Sequence, residues 1–240
     1  MTLIYGHRGA RGLAPENTLA SFQACLDAGI NRCELDLHLS SDGQLIVIHD
    51  GNLKRTTGQP GKVRQHTAAQ LVQMDARHNT APWPTPCPIP TLEQLFEHCP
   101  FIHWQLEVKE TSRSRALQTV RAIDQLSQRF ALQDKIIITS SSRRVLRAAQ
   151  RLAPHLARGL VAEYAWLEPL KIAQRYQCSM LVLNWSITTQ RRLAQAQQAG
   201  LHVSVWTVNE PTLMRRLADC GVDSLITDFP DLANATLESY

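Results

Sequence analysis

Nine short apolar runs punctuate this chain from end to end, and helical patterns fill most of the gaps between them. The runs cover residues 2–7, 32–39, 44–49, 103–109, 135–140, 157–162, 179–184, 202–208 and 224–227. Strands that alternate with helices predict an α/β fold built on a parallel sheet. The helical stretches carry their own boundaries. The first starts near Asn17 or Thr18, sets Leu19, Phe22 and Leu26 on one face, and stops at Gly29. The next opens on Thr91 with Gln94 three residues on, a capping box. A longer one groups Leu117, Val120, Ile123 and Phe130. Later helices have Pro169 and Pro211 near their first turns, and Gly200 and Gly221 just past their ends.

Eight βα units in 240 residues predict a closed (β/α)8 barrel, one domain over 1–240. A doubly wound open sheet is the alternative, but no Gly-rich dinucleotide fingerprint follows any strand. Asp42-Gly43 accounts for the ninth run. Asp-Gly between two alternating runs signals a β-hairpin, so 44–49 is expected to return antiparallel to the second barrel strand. With Asp42 and Gly43 as a two-residue turn, Ser41 pairs with Gln44 and Asp36 stands opposite His49, within about 5.5 Å at Cβ. Residues 51–90 form the one long irregular stretch. Prolines at 82, 84, 86, 88 and 90 exclude a helix there and predict an extended, stiff loop. The stretch reads as a capping insertion over one barrel mouth. A linker between two domains fits less well, because the strands on both sides are needed for one barrel.

Composition narrows the function classes. The net charge of +4 suits a small anionic substrate, but no Lys/Arg stripe with exposed aromatics points to nucleic acid. None of the six cysteines forms a C-x-x-C pair, and most sit in apolar runs. No basic segment followed by a long apolar one opens the chain, and no run reaches a membrane span. These features predict a reduced, cytoplasmic protein with buried thiols.

The chemistry lies in polar residues at strand ends. In residues 32–39, Glu34, Asp36 and His38 share one face, while Cys33, Leu35, Leu37 and Leu39 share the other. The apolar set can pack on the helix layer, which leaves the acidic set facing the barrel axis. Residues 103–109 split the same way, with Gln105, Glu107 and Lys109 opposite Trp104, Leu106 and Val108. His7 and Arg8 end the first strand. Barrel enzymes build their sites at such ends. Carboxylates crowded at one mouth repel unless a cation holds them, and an all-oxygen set suits Mg²⁺ or Ca²⁺ better than zinc. His7 and His49 flanking a metal, with Arg8 and Lys109 nearby, match what phosphodiester hydrolysis needs. A single such histidine or Glu-Lys pair would more simply be structural, and His66, His78, His98, His103, His155 and His202 are taken so. Three polar axial faces are harder to explain structurally, since each unpaired buried charge costs several kcal/mol (about 3–5).

These residues fall in a longer pattern: HRG at 7–9, PENTLASF at 15–22, ELDLHLSSDGQLIVIHD at 34–50, PIPTLEQLF at 88–96, LEVK at 106–109, VWTVNE at 205–210 and ITDFPD at 226–231. In order and coverage the chain resembles the glycerophosphodiester phosphodiesterases of the cytoplasmic bacterial type. The resemblance implies a TIM barrel with a capping insertion and hydrolysis of a small-molecule glycerophosphodiester to sn-glycerol 3-phosphate and an alcohol, with Mg²⁺ or Ca²⁺. It implies metal ligation by Glu34, Asp36 and Glu107, acid–base catalysis by His7 and His49, and phosphate contacts from Arg8 and Lys109. Asn17 is similar to a residue that shapes the site, and Trp206 to an aromatic beside the glycerol moiety. His38 stands where an uncharged polar residue is commoner, and Asn184-Trp185-Ser186 matches only loosely. The insertion argues against the related sphingomyelinase D type. A non-catalytic relative that binds metal or phosphodiester as a sensor would lack a histidine or carboxylate, and none is missing. Water and the substrate's own 2-hydroxyl both remain open as the nucleophile, as do the head group and the oligomeric state.

Overall fold

The computed structural model describes residues 2–110 and 112–238. Eight parallel strands close into a barrel: β1 (Leu3–His7), β2 (Arg32–Leu39), β4 (His103–Val108), β5 (Ile136–Ser140), β6 (Ala157–Ala162), β7 (Met180–Asn184), β8 (His202–Trp206) and β9 (Ser224–Thr227). Closure is made by β1, which pairs in parallel with both β2 and β9. A ninth strand, β3 (Leu45–Val47), runs antiparallel on β2. Helices α1 (Leu19–Asp27), α4 (Leu92–His98), α5 (Arg113–Arg129), α6 (Arg143–Leu152), α7 (Pro169–Arg175), α8 (Gln190–Gln198), α9 (Pro211–Asp219) and α10 (Pro230–Glu238) separate and follow the barrel strands. The short helices α2 (Lys54–Thr57) and α3 (Ala68–Leu71) lie between β3 and α4.

Local chemistry sets the element ends as expected. Thr18 caps α1, its hydroxyl accepting from the Ser21 amide. Thr91 and Gln94 make the reciprocal capping box of α4, and Pro169 and Pro211 open α7 and α9.

The barrel encloses a small apolar plug of Tyr5, Ile137, Val161, Met180, Val182 and Ile226. The larger cores lie outside it, between strands and helices. Leu35, Leu37 and Leu39 of β2 and Trp104, Leu106 and Val108 of β4 pack there with α5 and α6 residues. The two faces of β2 and β4 therefore divide as their alternation predicts. Among the described residues no helix is long and apolar enough to cross a membrane.

The hairpin register differs from expectation. Leu37 pairs with Val47, His38 with Ile46 and Leu39 with Leu45. The Ser40 amide donates to Gln44 O at 3.0 Å, and Gly43 has φ +81. Ser41, Asp42 and Gly43 thus form a three-residue loop with glycine in the left-handed region, the common alternative to a two-residue turn. Pairing shifts by one, and the Ile48 amide, not His49, meets Asp36 O, at 3.1 Å. The register carries Ile46 and Ile48 into a separate apolar cluster with Leu53, Val63, Leu71, Ala76 and Ile89.

That cluster organises residues 51–90. The proline-rich end is not one extended strut. Residues near Ile89 turn back on Met74–Ala76, with the Ile89 amide donating to Met74 O at 3.1 Å and the Ala76 amide to Cys87 O at 2.7 Å.

Candidate active site

After β1 the chain turns sharply through two left-handed residues, Arg8 (φ 51) and Gly9 (φ 82). A Cβ on Gly9 would lie 2.6 Å from the backbone of Ser21, so only glycine lets this turn sit against α1. Arg8 carries a non-glycine residue's strain, roughly 1–3 kcal/mol, and so does Asn17 at φ 57. The two hold each other: the Asn17 amide donates to Arg8 O at 3.0 Å, which also accepts from Ser21 Oγ at 2.7 Å. The turn points the Arg8 guanidinium into the barrel mouth, where it lies between Glu16 and Asp36.

Glu34, Asp36 and Glu107 offer carboxylate oxygens that all lie within 4.8 Å of one another. Parallel pairing sets Asp36 beside Glu107 across β2 and β4. Burial and the neighbouring Asp36 and Glu107 push the Glu34 carboxyl well above the usual range. Asp36 is equally buried, but Lys109 and Arg8 hold its carboxyl well below that range. Lys109 Nζ lies 3.0 Å from Asp36 Oδ1 and 2.7 Å from Glu107 Oε1. Asp36 Oδ1 is buried, with the Lys109 ammonium as its ion-pair partner. Three buried or half-buried carboxylates this close together are the donor set a hard divalent cation takes, so these residues could hold one.

Each histidine of the mouth is oriented by a carboxylate. His7 Nδ1 donates to Asp228 Oδ1 at 2.6 Å, and His49 Nδ1 donates to Asp50 Oδ1 at 2.6 Å. A carboxylate only accepts, so in both rings the proton sits on Nδ1 and leaves Nε2 free in the neutral imidazole. His7 Nε2 is 3.9 Å from Glu34 Oε2. Burial holds His49 below its ordinary pKa, with Asp36 acting in the opposite sense and Arg8 and Lys109 adding to the burial effect. His49 reaches the mouth although its predicted pairing with Asp36 does not exist: β3 ends at Val47 and the backbone bends at His49. His38 fixes that bend, its Nε2 donating to His49 O at 3.0 Å.

A cavity of about 80 Å³ collects most of the set, with His7, Arg8, Glu34, His49, Glu107, Lys109 and Trp206 in its wall. Asp36 and Asn17 lie beneath, joined by Asn17 Nδ2 donating to Asp36 Oδ2 at 2.9 Å. All nine residues singled out in the sequence thus converge on the C-terminal mouth of the barrel. Four that support them were not singled out: Glu16, Asp50, Arg55 and Asp228. Glu16, 2% exposed, accepts from Arg8, Arg55 and Asn79. Its carboxyl is held down to about 2: burial raises it, but these partners, Arg55 foremost, outweigh that. Arg55, from α2, also donates to Asp50 at 2.7 Å, so residues 51–90 reach the barrel mouth through Arg55 and Asn79. Asp50 and Asp228 stand inside the quoted HD and TDFPD stretches, but only the fold shows which ring each one meets.

Residues 7–232 match the model of the Glycerophosphoryl diester phosphodiesterase family. A glycerophosphodiester phosphodiesterase of Bacillus altitudinis is 30% identical over 242 residues, covering 97% of each chain. One from Caldanaerobacter subterraneus is 29% identical, covering 96% of this chain and 95% of its own. The solved structure of an Oleispira antarctica phosphodiesterase in complex with the product sn-glycerol-3-phosphate superposes with a TM-score of 0.87 at 27% identity. It covers 99% of this chain and 97% of that one.

Proposed function

The chain belongs to the glycerophosphoryl diester phosphodiesterase family, and from that premise we propose that it hydrolyses glycerophosphodiesters by metal-assisted acid–base catalysis. The observation that carries this reading is the juxtaposition of three carboxylates with two carboxylate-oriented histidines at one mouth. Products would be sn-glycerol 3-phosphate, as in the product complex of the Oleispira relative, and the head-group alcohol.

Glu34, Asp36 and Glu107 would hold Mg²⁺ or Ca²⁺, which when bound offsets charge on the phosphoryl oxygens. Arg8 and Lys109 add fixed positive charge beside the same oxygens. One histidine takes the proton of the attacking hydroxyl through its free Nε2. As the attacking oxygen bonds to phosphorus, the P–O bond to the head group breaks, and the other histidine, acting as an imidazolium protonated on both nitrogens, delivers its Nε2 proton to the departing oxygen. Asp228 and Asp50 would keep the proton on Nδ1 of both rings, so that Nε2 is the atom that gains or gives a proton. Trp206, on the opposite wall, would lie against the glycerol moiety. Asn17 shapes the floor by holding Asp36.

Residues 51–90 would act as an insertion that caps the mouth within a single domain over 1–240, supported by the cluster of Ile46, Ile48, Leu53 and Val63. Six free thiols support a reduced, cytoplasmic setting.

Product analysis with glycerophosphoglycerol tests the reading. The wild type should release sn-glycerol 3-phosphate, and His49→Ala should lose at least about 100-fold in rate. Undiminished turnover by that variant would remove the acid–base assignment.

A further inference from the structure

A second cavity, about 450 Å³, opens beside the first and shares Lys109 with it. Its wall is made by His38 and Lys109 from the barrel, Arg115 from α5, and Lys62 and Arg64 from residues 51–90. The turn that bears Lys62 and Arg64 is anchored between them. Val63 is buried in the Ile46–Ile48 cluster, and its amide donates to Gly51 O at 3.1 Å. The two flanking side chains are exposed.

The charge in this cavity is one-sided. Its one carboxylate, Glu110, is already committed: Arg115 Nε donates to it at 3.0 Å, the Leu39 amide at 3.2 Å, and His38 Nδ1 lies 3.8 Å away. Lys109 is likewise paired with Asp36 and Glu107. Lys62 and Arg64 have no carboxylate partner among the described residues. No Phe, Tyr or Trp ring lines the space, so it lacks the aromatic face that holds a quaternary ammonium.

The barrel fixes which end of a substrate reaches it. Around the closed sheet, β8 lies four strands from β4 in either direction. Trp206 on β8 and Lys109 after β4 therefore stand on opposite walls. With glycerol against Trp206 and phosphate at Lys109, the departing alcohol points into the Lys62–Arg64 cavity.

We propose, resting on the hydrolytic reading above, that this cavity takes the leaving alcohol and selects one that carries a second anionic group. The reaction is unchanged: the phosphorus–oxygen bond to that alcohol breaks, its oxygen gains a proton, and the glycerol phosphate keeps the phosphoryl group.

Three diesters that share the glycerophosphate half test this. Their leaving alcohols are choline (cationic), glycerol (neutral) and glycerophosphoglycerol (anionic, from bis(glycerophospho)glycerol). All release sn-glycerol 3-phosphate, read as an initial rate because the glycerophosphoglycerol set free from the third diester is itself a substrate. The wild type should show kcat/KM about tenfold higher for the anionic than for the cationic alcohol at low salt, the preference shrinking as salt screens it. Lys62→Glu and Arg64→Glu, singly and together, should narrow or invert that ratio. Both positions are exposed, and a thermal melt confirms that each variant folds. Equal or better use of the choline diester by the wild type overturns the proposal, as does a ratio untouched by the variants. No product from any of the three overturns the hydrolytic reading itself, and the proposal with it.

Discussion

His7 Nδ1 and Asp228 Oδ1 meet at 2.6 Å although 221 residues separate them in the chain. The contact exists because β1 and β9 pair to close the barrel. Asp228 is itself held in place: the Asn209 amide group donates to its Oδ2 at 2.8 Å, and its own backbone amide donates to Asn209 Oδ1 at 3.0 Å. Asp228→Asn keeps the shape but can donate where the carboxylate only accepts, so it favours the wrong tautomer of His7. We expect kcat to fall by roughly two to four orders of magnitude, with KM little changed. Steady-state kinetics of that variant, and of Asp228→Glu as a partial rescue, check this.

Glu16 gathers three guanidiniums, of Arg8, Arg11 and Arg55, and an amide in a nearly dry position. Glu16→Gln removes one of the two carboxylates that flank Arg8 inside the barrel mouth and leaves Asp36 as the other. The expected cost is about 3–5 kcal/mol in unfolding free energy, the range for breaking a buried pair from one side. Urea denaturation reads it directly.

The same residue predicts acid sensitivity. Glu16 and Glu110 fall to about 2 in the folded protein from an ordinary 4.5. Burial alone would raise both, but the hydrogen bonds and charges of their partners lower them further. Their stabilisation is complete above about 4.5 and is lost as pH falls through 2. His103 behaves as a base kept neutral. Burial, then Arg32 and His202, lower it to about 4 from 6.5, so its share is complete above 6.5 and lost as pH falls through 4. Unfolding free energy should therefore decline from about pH 6.5 downward, and the decline should be shallower below pH 4.5 in Glu16→Gln.

Gly9→Ala tests the turn that aims Arg8. The added methyl meets the Ser21 backbone at 2.6 Å, and the residue sits at φ 82. The expected loss is at least about 2 kcal/mol, seen as a lower thermal midpoint, together with weaker phosphodiester binding.

Much of this was legible in residue order. Alternating apolar runs, caps and glycines specify the barrel because each helix and strand reports its own period locally. The split between Glu34–Asp36 and Leu35–Leu37 was readable for the same reason. The hairpin register was not. A two-residue and a three-residue loop place Asp42-Gly43 almost identically in sequence, and the packing of Ile46 and Ile48 under residues 51–90 decides between them. Nor could Asp228 be assigned to His7, since that pairing depends on closure between the first and last strands. Glu16 lay inside PENT but drew no inference, because its partner Arg55 comes from the irregular segment whose path the pattern leaves open. His38 now has a contact, the carbonyl of His49.

If Glu34, Asp36 and Glu107 hold the divalent cation that hydrolysis requires, turnover should depend on added metal. The direct measurement is release of sn-glycerol 3-phosphate from glycerophosphoglycerol by chelator-stripped protein, before and after Mg²⁺ or Ca²⁺ is restored. The account predicts at least about a 100-fold gain on adding metal, and no gain in Asp36→Asn. Full turnover in the presence of chelator, or restoration by metal in a folded Asp36→Asn variant, would contradict it.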